Sequence, residues 1–278
     1  MSQRRKKIRN GKSKKERLVP ILPNIITTAS LTLGLASIMT SIQIVTLLSG
    51  DGDYTEQVFR KLWWASAFIA ISVVMDMLDG KLARALGSES NFGLSYDSLS
   101  DLISFGVAPG ILIYVWVLMG FGKLGLMALL FYVVCTALRL ARFNVQSSDV
   151  EKFTFTGLPS PMAAGLIFAP VMLFSEFSII PGMKTIWFYL LAAPIVGLVM
   201  VSDIPYKKFP RSRMKGQFNL LVVAAIIISA IVSNPGIIVT SVVYIYFIFG
   251  IVTYMSRYFL KRKSEEPESG FVSQQSQN

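Results

Sequence analysis

Apolar residues crowd the chain in eight long windows, at roughly 25–48, 62–86, 92–119, 124–145, 158–175, 185–201, 217–233 and 236–257, each near the length that a bilayer requires of a helix. Polar and charged residues gather between the windows and at the two ends. The pattern predicts an all-α fold, a polytopic membrane helix bundle of about eight transmembrane helices. The last two spans are separated only by the tight Asn234-Pro235-Gly236 turn, and no internal repeat is visible.

Composition agrees: 53% of the 278 residues are hydrophobic and 15% charged, with a mean hydropathy of +0.56. A soluble globular domain carries far more charge. The chain divides into a basic N-terminal arm (1–19), a membrane-embedded domain (20–260) and a polar tail (261–278), the arm and tail reading as disordered. The arm carries Arg4, Arg5, Lys6, Lys7, Arg9, Lys12, Lys14, Lys15 and Arg17 against Glu16 alone. Beside a first membrane span, such a run marks the cytoplasmic side and meets anionic lipid headgroups, so no nucleic-acid partner is called for. With both termini cytoplasmic, only Arg60, Lys61, Lys123 and Lys184 fall outside, and every other lysine and arginine falls inside. That asymmetry is the positive-inside pattern. Trp63, Trp64, Trp116 and Trp187 fall near predicted interfaces, as belt aromatics do.

The chain has one cysteine, Cys135, and no histidine. Disulfide, haem, histidine-zinc and Ser-His-Asp chemistry are thereby excluded or nearly so. A metal must be held by oxygen, which suits magnesium, manganese or calcium. Oxygen ligands are present where they are least comfortable. Asp76, Asp79, Asp97 and Asp101 sit in otherwise apolar helices, where one carboxylate costs at least about 2.5–3.5 kcal/mol.

Asp76 and Asp79 are spaced i,i+3, with Gly80 and Ala83 on the same face and Arg84 at its edge. Asp97 and Asp101 are spaced i,i+4 and share a stripe with Gly93, Ser104 and Ala108. In an antiparallel hairpin turning near Gly87–Asn91, residues whose numbers sum alike lie at one depth. Asp76 pairs in depth with Asp101, and Asp79 with Asp97, about three turns from the cytoplasmic surface. Gly80 and Gly93 leave room for a backbone or a ligand to approach. Four carboxylates in a low dielectric take up protons or bind cations, and an oxygen cage favours one or two divalent ions. A cation-coupled transporter also places acids in the membrane, but its inverted repeats and broken helices are not apparent in the sequence.

At these residues the chain resembles the CDP-alcohol phosphatidyltransferase family, whose motif D-x2-D-G-x2-A-R-x8-G-x3-D-x3-D stands here without departure as Asp76, Asp79, Gly80, Ala83, Arg84, Gly93, Asp97 and Asp101. The resemblance implies a cavity open to the cytoplasm that binds two divalent ions, Mg2+ or Mn2+, and the pyrophosphate of a CDP-lipid. On that analogy Asp76, Asp79, Asp97 and Asp101 are metal ligands, and Asp101 is also the general base. Asp79, Gly80, Ala83, Arg84 and Gly93 bind the CDP-lipid, with Ser90 a weaker phosphate contact. The flanking Ser104-Phe105-Gly106-Val107-Ala108-Pro109, Arg139-Leu140-Ala141-Arg142-Phe143-Asn144 and Gly157-Leu158-Pro159-Ser160-Pro161 are similar to the members that use serine as acceptor. The resemblance runs from about Pro20 to Pro170.

The expected substrates are CDP-diacylglycerol and L-serine, with phosphatidylserine and CMP as products. Glycerol phosphate and inositol phosphate are the alternative acceptors. Family members are often dimers, so a homodimer is one of the states implied. An amino-acid acceptor carries a carboxylate that needs a cation, and Arg139 and Arg142, with Ser104, are the candidate acceptor contacts. Asn24, after Pro23, is read as a helix cap or a nucleotide contact, and Lys207–Lys215 as a headgroup patch.

Overall fold

The computed structural model describes residues 21–51, 55–87, 90–146, 157–202 and 233–265. Seven helices account for nearly all of them: α1 (Ile21–Asp51), α2 (Glu56–Leu86), α3 (Asn91–Phe121), α4 (Lys123–Gln146), α5 (Ser160–Glu176), α6 (Met183–Val201) and α7 (Pro235–Glu265). Six are long and apolar enough to cross a membrane, and α5 is a shorter apolar helix. The protein is an integral, multi-pass membrane protein. Residues 217–232 of the expected span at 217–233, the basic arm and the Lys207–Lys215 patch lie outside the described residues. α7 runs to Glu265.

α3 is the central element. Its side chains Phe105, Leu112, Trp116 and Leu118 are buried, among α1, α2, α4, α5 and α6. Trp116 is therefore no belt aromatic: it packs edge-on against Phe174 and tilted against Tyr189. Trp64 and Trp187 are about half exposed, as belt residues are. α7 sits at the periphery, packed mainly along α5.

α3 stays continuous but widens into π-helical turns at Leu102–Val107 and Tyr114–Leu118. Pro109 gives a physical reason for the first. It has no N–H for the carbonyl four residues before it, and its ring crowds that carbonyl. The orphaned acceptor would be Phe105, and the Tyr132 hydroxyl of α4 donates to it at 2.8 Å. A free carbonyl in a bilayer is costly, so the side chain of a neighbouring helix satisfies it. The widened turn begins immediately after Asp101.

Small residues bring α1 against α2 and α3. Ser104 Oγ donates to the Ser30 carbonyl at 3.1 Å, and Ser30 Oγ donates to the Ser72 carbonyl at 3.2 Å. Without a hydrophobic drive between helices in lipid, such close approach supplies much of the association. A Cβ placed on Gly34 would come within 2.9 Å of the Ser104 Cα, which neither backbone can accept without moving. Gly34→Ala is therefore expected to destabilise the folded protein by about 1–3 kcal/mol, read as a lowered melting temperature in detergent. An unchanged melting temperature would show that the α1–α3 seam is loose.

Candidate functional site

The motif acids converge from the C-terminal part of α2 and the N-terminal part of α3. One carboxylate oxygen each from Asp76, Asp97 and Asp101 lies within 4.8 Å of the others. Asp76 and Asp101, the pair at equal depth by the hairpin rule, are both in this group. Two carboxylates this close repel each other unless a cation or a proton lies between them.

Asp79 is placed differently from the other three. It is the most deeply buried of the four, at 4% exposure, and its Oδ2 accepts a 2.7 Å hydrogen bond from Thr27 Oγ1 on α1. It remains close enough to interact electrostatically with Asp76, Asp97 and Asp101. The sequence grouped all four acids but carried no signal for Thr27. Fifty-two positions separate the hydrogen-bonded pair, and only the packing of α1 against α2 brings them together.

Gly80 of the motif leaves space for a ligand, and Gly93 is closely packed. A Cβ on Gly80 would find only Arg84 Nη2, at 4.0 Å, and one on Gly93 would meet Ser90 Oγ and Asn24 Oδ1. Ala83 shares the Gly80 face and is half-buried, and Arg84 is exposed at its edge. Ser90 caps α3, its side chain accepting from the Gly93 N–H at 3.0 Å; this is the residue type that a helix start favours. Asn24 lies inside α1, one turn past Ile21, so it does not cap the first helix. Its amide faces Gly93 instead.

The expected acceptor residues separate into three settings. Ser104 is fully buried and donates to α1, away from the acids. Arg142 Nη1 donates to the Val201 carbonyl at 3.2 Å, which ties α4 to the end of α6. Arg139 points inward: Nη1 donates to Ser160 Oγ at 2.8 Å, the charge interacts with Asp101, and the buried Nε has no hydrogen-bond partner among the described residues. Ser160 is held by the turn before α5. Gly157 there has φ +83°, and a Cβ on it would collide with the Met200 carbonyl, so this position requires glycine. Asn144, unremarked as a site residue by the sequence reading, accepts from Ser98 Oγ at 3.0 Å and joins α4 to the turn bearing Asp97.

The family model for CDP-alcohol phosphatidyltransferase matches residues 20–203, which takes in all the acids, Arg139 and Arg142. The chain belongs to the CDP-alcohol phosphatidyltransferase family. The match continues through α6, beyond the Pro170 limit of the sequence resemblance. Curated relatives point the same way. A Helicobacter pylori protein named CDP-diacylglycerol–serine O-phosphatidyltransferase is 31% identical over 235 residues, covering 84% of this chain and 91% of its own. Proteins of the same name from Methanocaldococcus jannaschii and Mycobacterium leprae are 34% and 31% identical, covering 68% and 81% of this chain and 83% and 72% of their own.

The donor set fits a hard divalent cation. Asp76, Asp97 and Asp101 offer three converging carboxylate oxygens and no nitrogen or sulfur, the chemistry that magnesium and manganese take. Removing divalent ions should abolish activity, and Mg2+ or Mn2+ should restore it. Asp97→Asn should weaken Mn2+ binding, followed by electron paramagnetic resonance, by more than the ~10-fold that loss of an outer-shell partner costs. Unaltered Mn2+ affinity in that variant would remove Asp97 from the metal site.

Proposed function

We propose that this protein transfers the phosphatidyl group of CDP-diacylglycerol to the hydroxyl of L-serine, releasing CMP. The convergence of Asp76, Asp97 and Asp101, with the Arg139 guanidinium interacting with Asp101, carries this reading. The names and coverage of the relatives support the same donor and acceptor.

In the reaction the serine hydroxyl oxygen bonds to the lipid-bearing phosphorus, and the bond from that phosphorus to the CMP oxygen breaks. Asp76, Asp97 and Asp101, with Asp79 beside them, would hold the divalent ions, two on the family pattern. Such ions offset charge on the attacking, leaving and non-bridging oxygens. Asp101 takes the hydroxyl proton, since a general base must lie within hydrogen-bond reach of the proton it removes. Arg84, exposed beside the open Gly80 face, meets the donor pyrophosphate as it enters, and Ala83 and Gly93 border the same space.

Arg139 receives the serine carboxylate. Its unpartnered Nε and neighbouring N–H groups offer the planar fork that binds a carboxylate in two places. Arg142 supports it from the next turn, holding α4 to α6. The positive-inside asymmetry puts the acids at the cytoplasmic side, where a water-soluble acceptor and CMP enter and leave. Residues 20–260 form the catalytic membrane domain, with the basic arm against anionic headgroups.

Purified protein given CDP-diacylglycerol, Mg2+ and a panel of labelled acceptors should form phosphatidylserine and CMP from serine. A product from glycerol phosphate or inositol phosphate in its place would overturn the acceptor assignment and leave the transferase reading intact. Within the serine reaction, two variants should behave oppositely. Arg139→Leu should raise KM for serine by about 10–100-fold, the worth of a lost charge-assisted pair, with CDP-lipid affinity retained. Asp101→Asn should keep CDP-lipid binding and lower kcat by about 10²–10⁴-fold, as loss of a general base does. Loss of CDP-lipid binding in Arg139→Leu with KM unchanged would assign that arginine to the donor.

A further inference from the structure

Outside the motif, Thr27 of α1 donates a hydrogen bond to one of the acids. Thr27 is 5% exposed, on the face of α1 between α2 and α3. Its hydroxyl has a single proton and two acceptors in reach, Asp79 Oδ2 at 2.7 Å and the Pro23 carbonyl at 3.1 Å. The shorter, charge-assisted bond to the carboxylate is the stronger. The Thr27 carbonyl in turn accepts from Ser100 Oγ at 3.2 Å, and Ser100, 1% exposed, immediately precedes Asp101. One residue of α1 thus grips the second acid of α2 through its side chain and the α3 turn bearing the fourth acid through its backbone.

We infer that Thr27 is a positioning residue for the metal and CDP-lipid site, which fixes the rotamer of Asp79 and, with Ser100, the separation of the two acid-bearing helices. The inference rests on the transferase reading above, in which the acids hold divalent ions. Asp79 has two oxygens. With Oδ2 held by Thr27, the carboxylate cannot swing freely, and Oδ1 is the oxygen left for a ligand. A ligand sphere works only if its members are held in place by partners of their own. Asp76, Asp97 and Asp101 lie close enough to constrain one another, whereas Asp79, which also meets the Gly80 backbone of its own helix, takes its side-chain hydrogen bond from α1.

Valine has the shape of threonine without the donor, so Thr27→Val removes the bond with little change in volume. Mn2+ binding to the detergent-solubilised full chain, followed by electron paramagnetic resonance without substrate, should weaken by about tenfold, the worth of a hydrogen bond to a charged group. Thr27→Ser, which keeps the donor, should restore affinity to near the wild-type value. Ser100→Ala, which frees the Thr27 backbone, should weaken Mn2+ binding less than Thr27→Val does. Ser30→Ala, one turn along the same seam, where the side chain donates to the Ser72 carbonyl, should leave Mn2+ affinity unchanged. A purely structural role for Thr27 would lower the melting temperature and leave the Mn2+ affinity of the folded protein alone. Wild-type affinity in Thr27→Val, or equal loss in Thr27→Ser and Thr27→Val, overturns the inference alone. Wild-type protein that binds no Mn2+ overturns it together with the metal reading. Should Thr27→Val fail to fold, unchanged Mn2+ affinity in Ser100→Ala overturns the tether from its other end.

Discussion

A carboxylate inside a bilayer has to be compensated, and this protein brings three of them together with a fourth, Asp79, beside them. The arrangement of the surrounding helices follows from that constraint. Asp76, Asp97 and Asp101 bring their oxygens together, which raises their mutual repulsion. Proximity of like charges in a low dielectric is tolerable only where a cation or a proton is shared among them. The site is thus costly without its ligand and favourable with it, as a binding site for a hard metal should be.

The scaffold supplies rigidity from helices that carry none of the acids. α1 is wedged against α2 and α3 by serines, threonine and glycine, and Thr27 and Ser30 both bond across the seam. α4 grips α3 from the other side through Tyr132, whose hydroxyl takes up the Phe105 carbonyl, and through Asn144 with Ser98. Pro109 both widens α3 just beyond Asp101 and provides the reason for the Tyr132 contact. A local backbone irregularity next to a reacting group is a common use of π turns. Here it is stabilised by a neighbouring side chain, so the helix need not break.

Much of this was readable in the sequence because the relevant signals are local. Window length predicted the described helices to within a few residues at most ends, and the motif spacing grouped three acids whose oxygens lie together in the fold. What could not be read depends on contacts between segments distant in the chain. Nothing in the sequence around Thr27 distinguishes it from Thr28, whose hydroxyl donates to the Asn24 carbonyl and contacts Tyr96. Hydropathy placed Trp116 near an interface, but only the packing of α5 and α6 onto α3 determines that it is buried. Arg139 and Arg142 look alike in sequence. Their difference appears when Ser160 and the Val201 carbonyl each take one of them.

The central claim is that the converging aspartates form a divalent-metal centre. Anomalous scattering from crystals grown with Mn2+ tests it most directly, since it locates the metal without reference to activity. A peak within coordination distance of Asp76, Asp97 and Asp101 is predicted. Well-ordered aspartates with no peak between them, or Mn2+ bound only elsewhere on the molecule, would contradict the account.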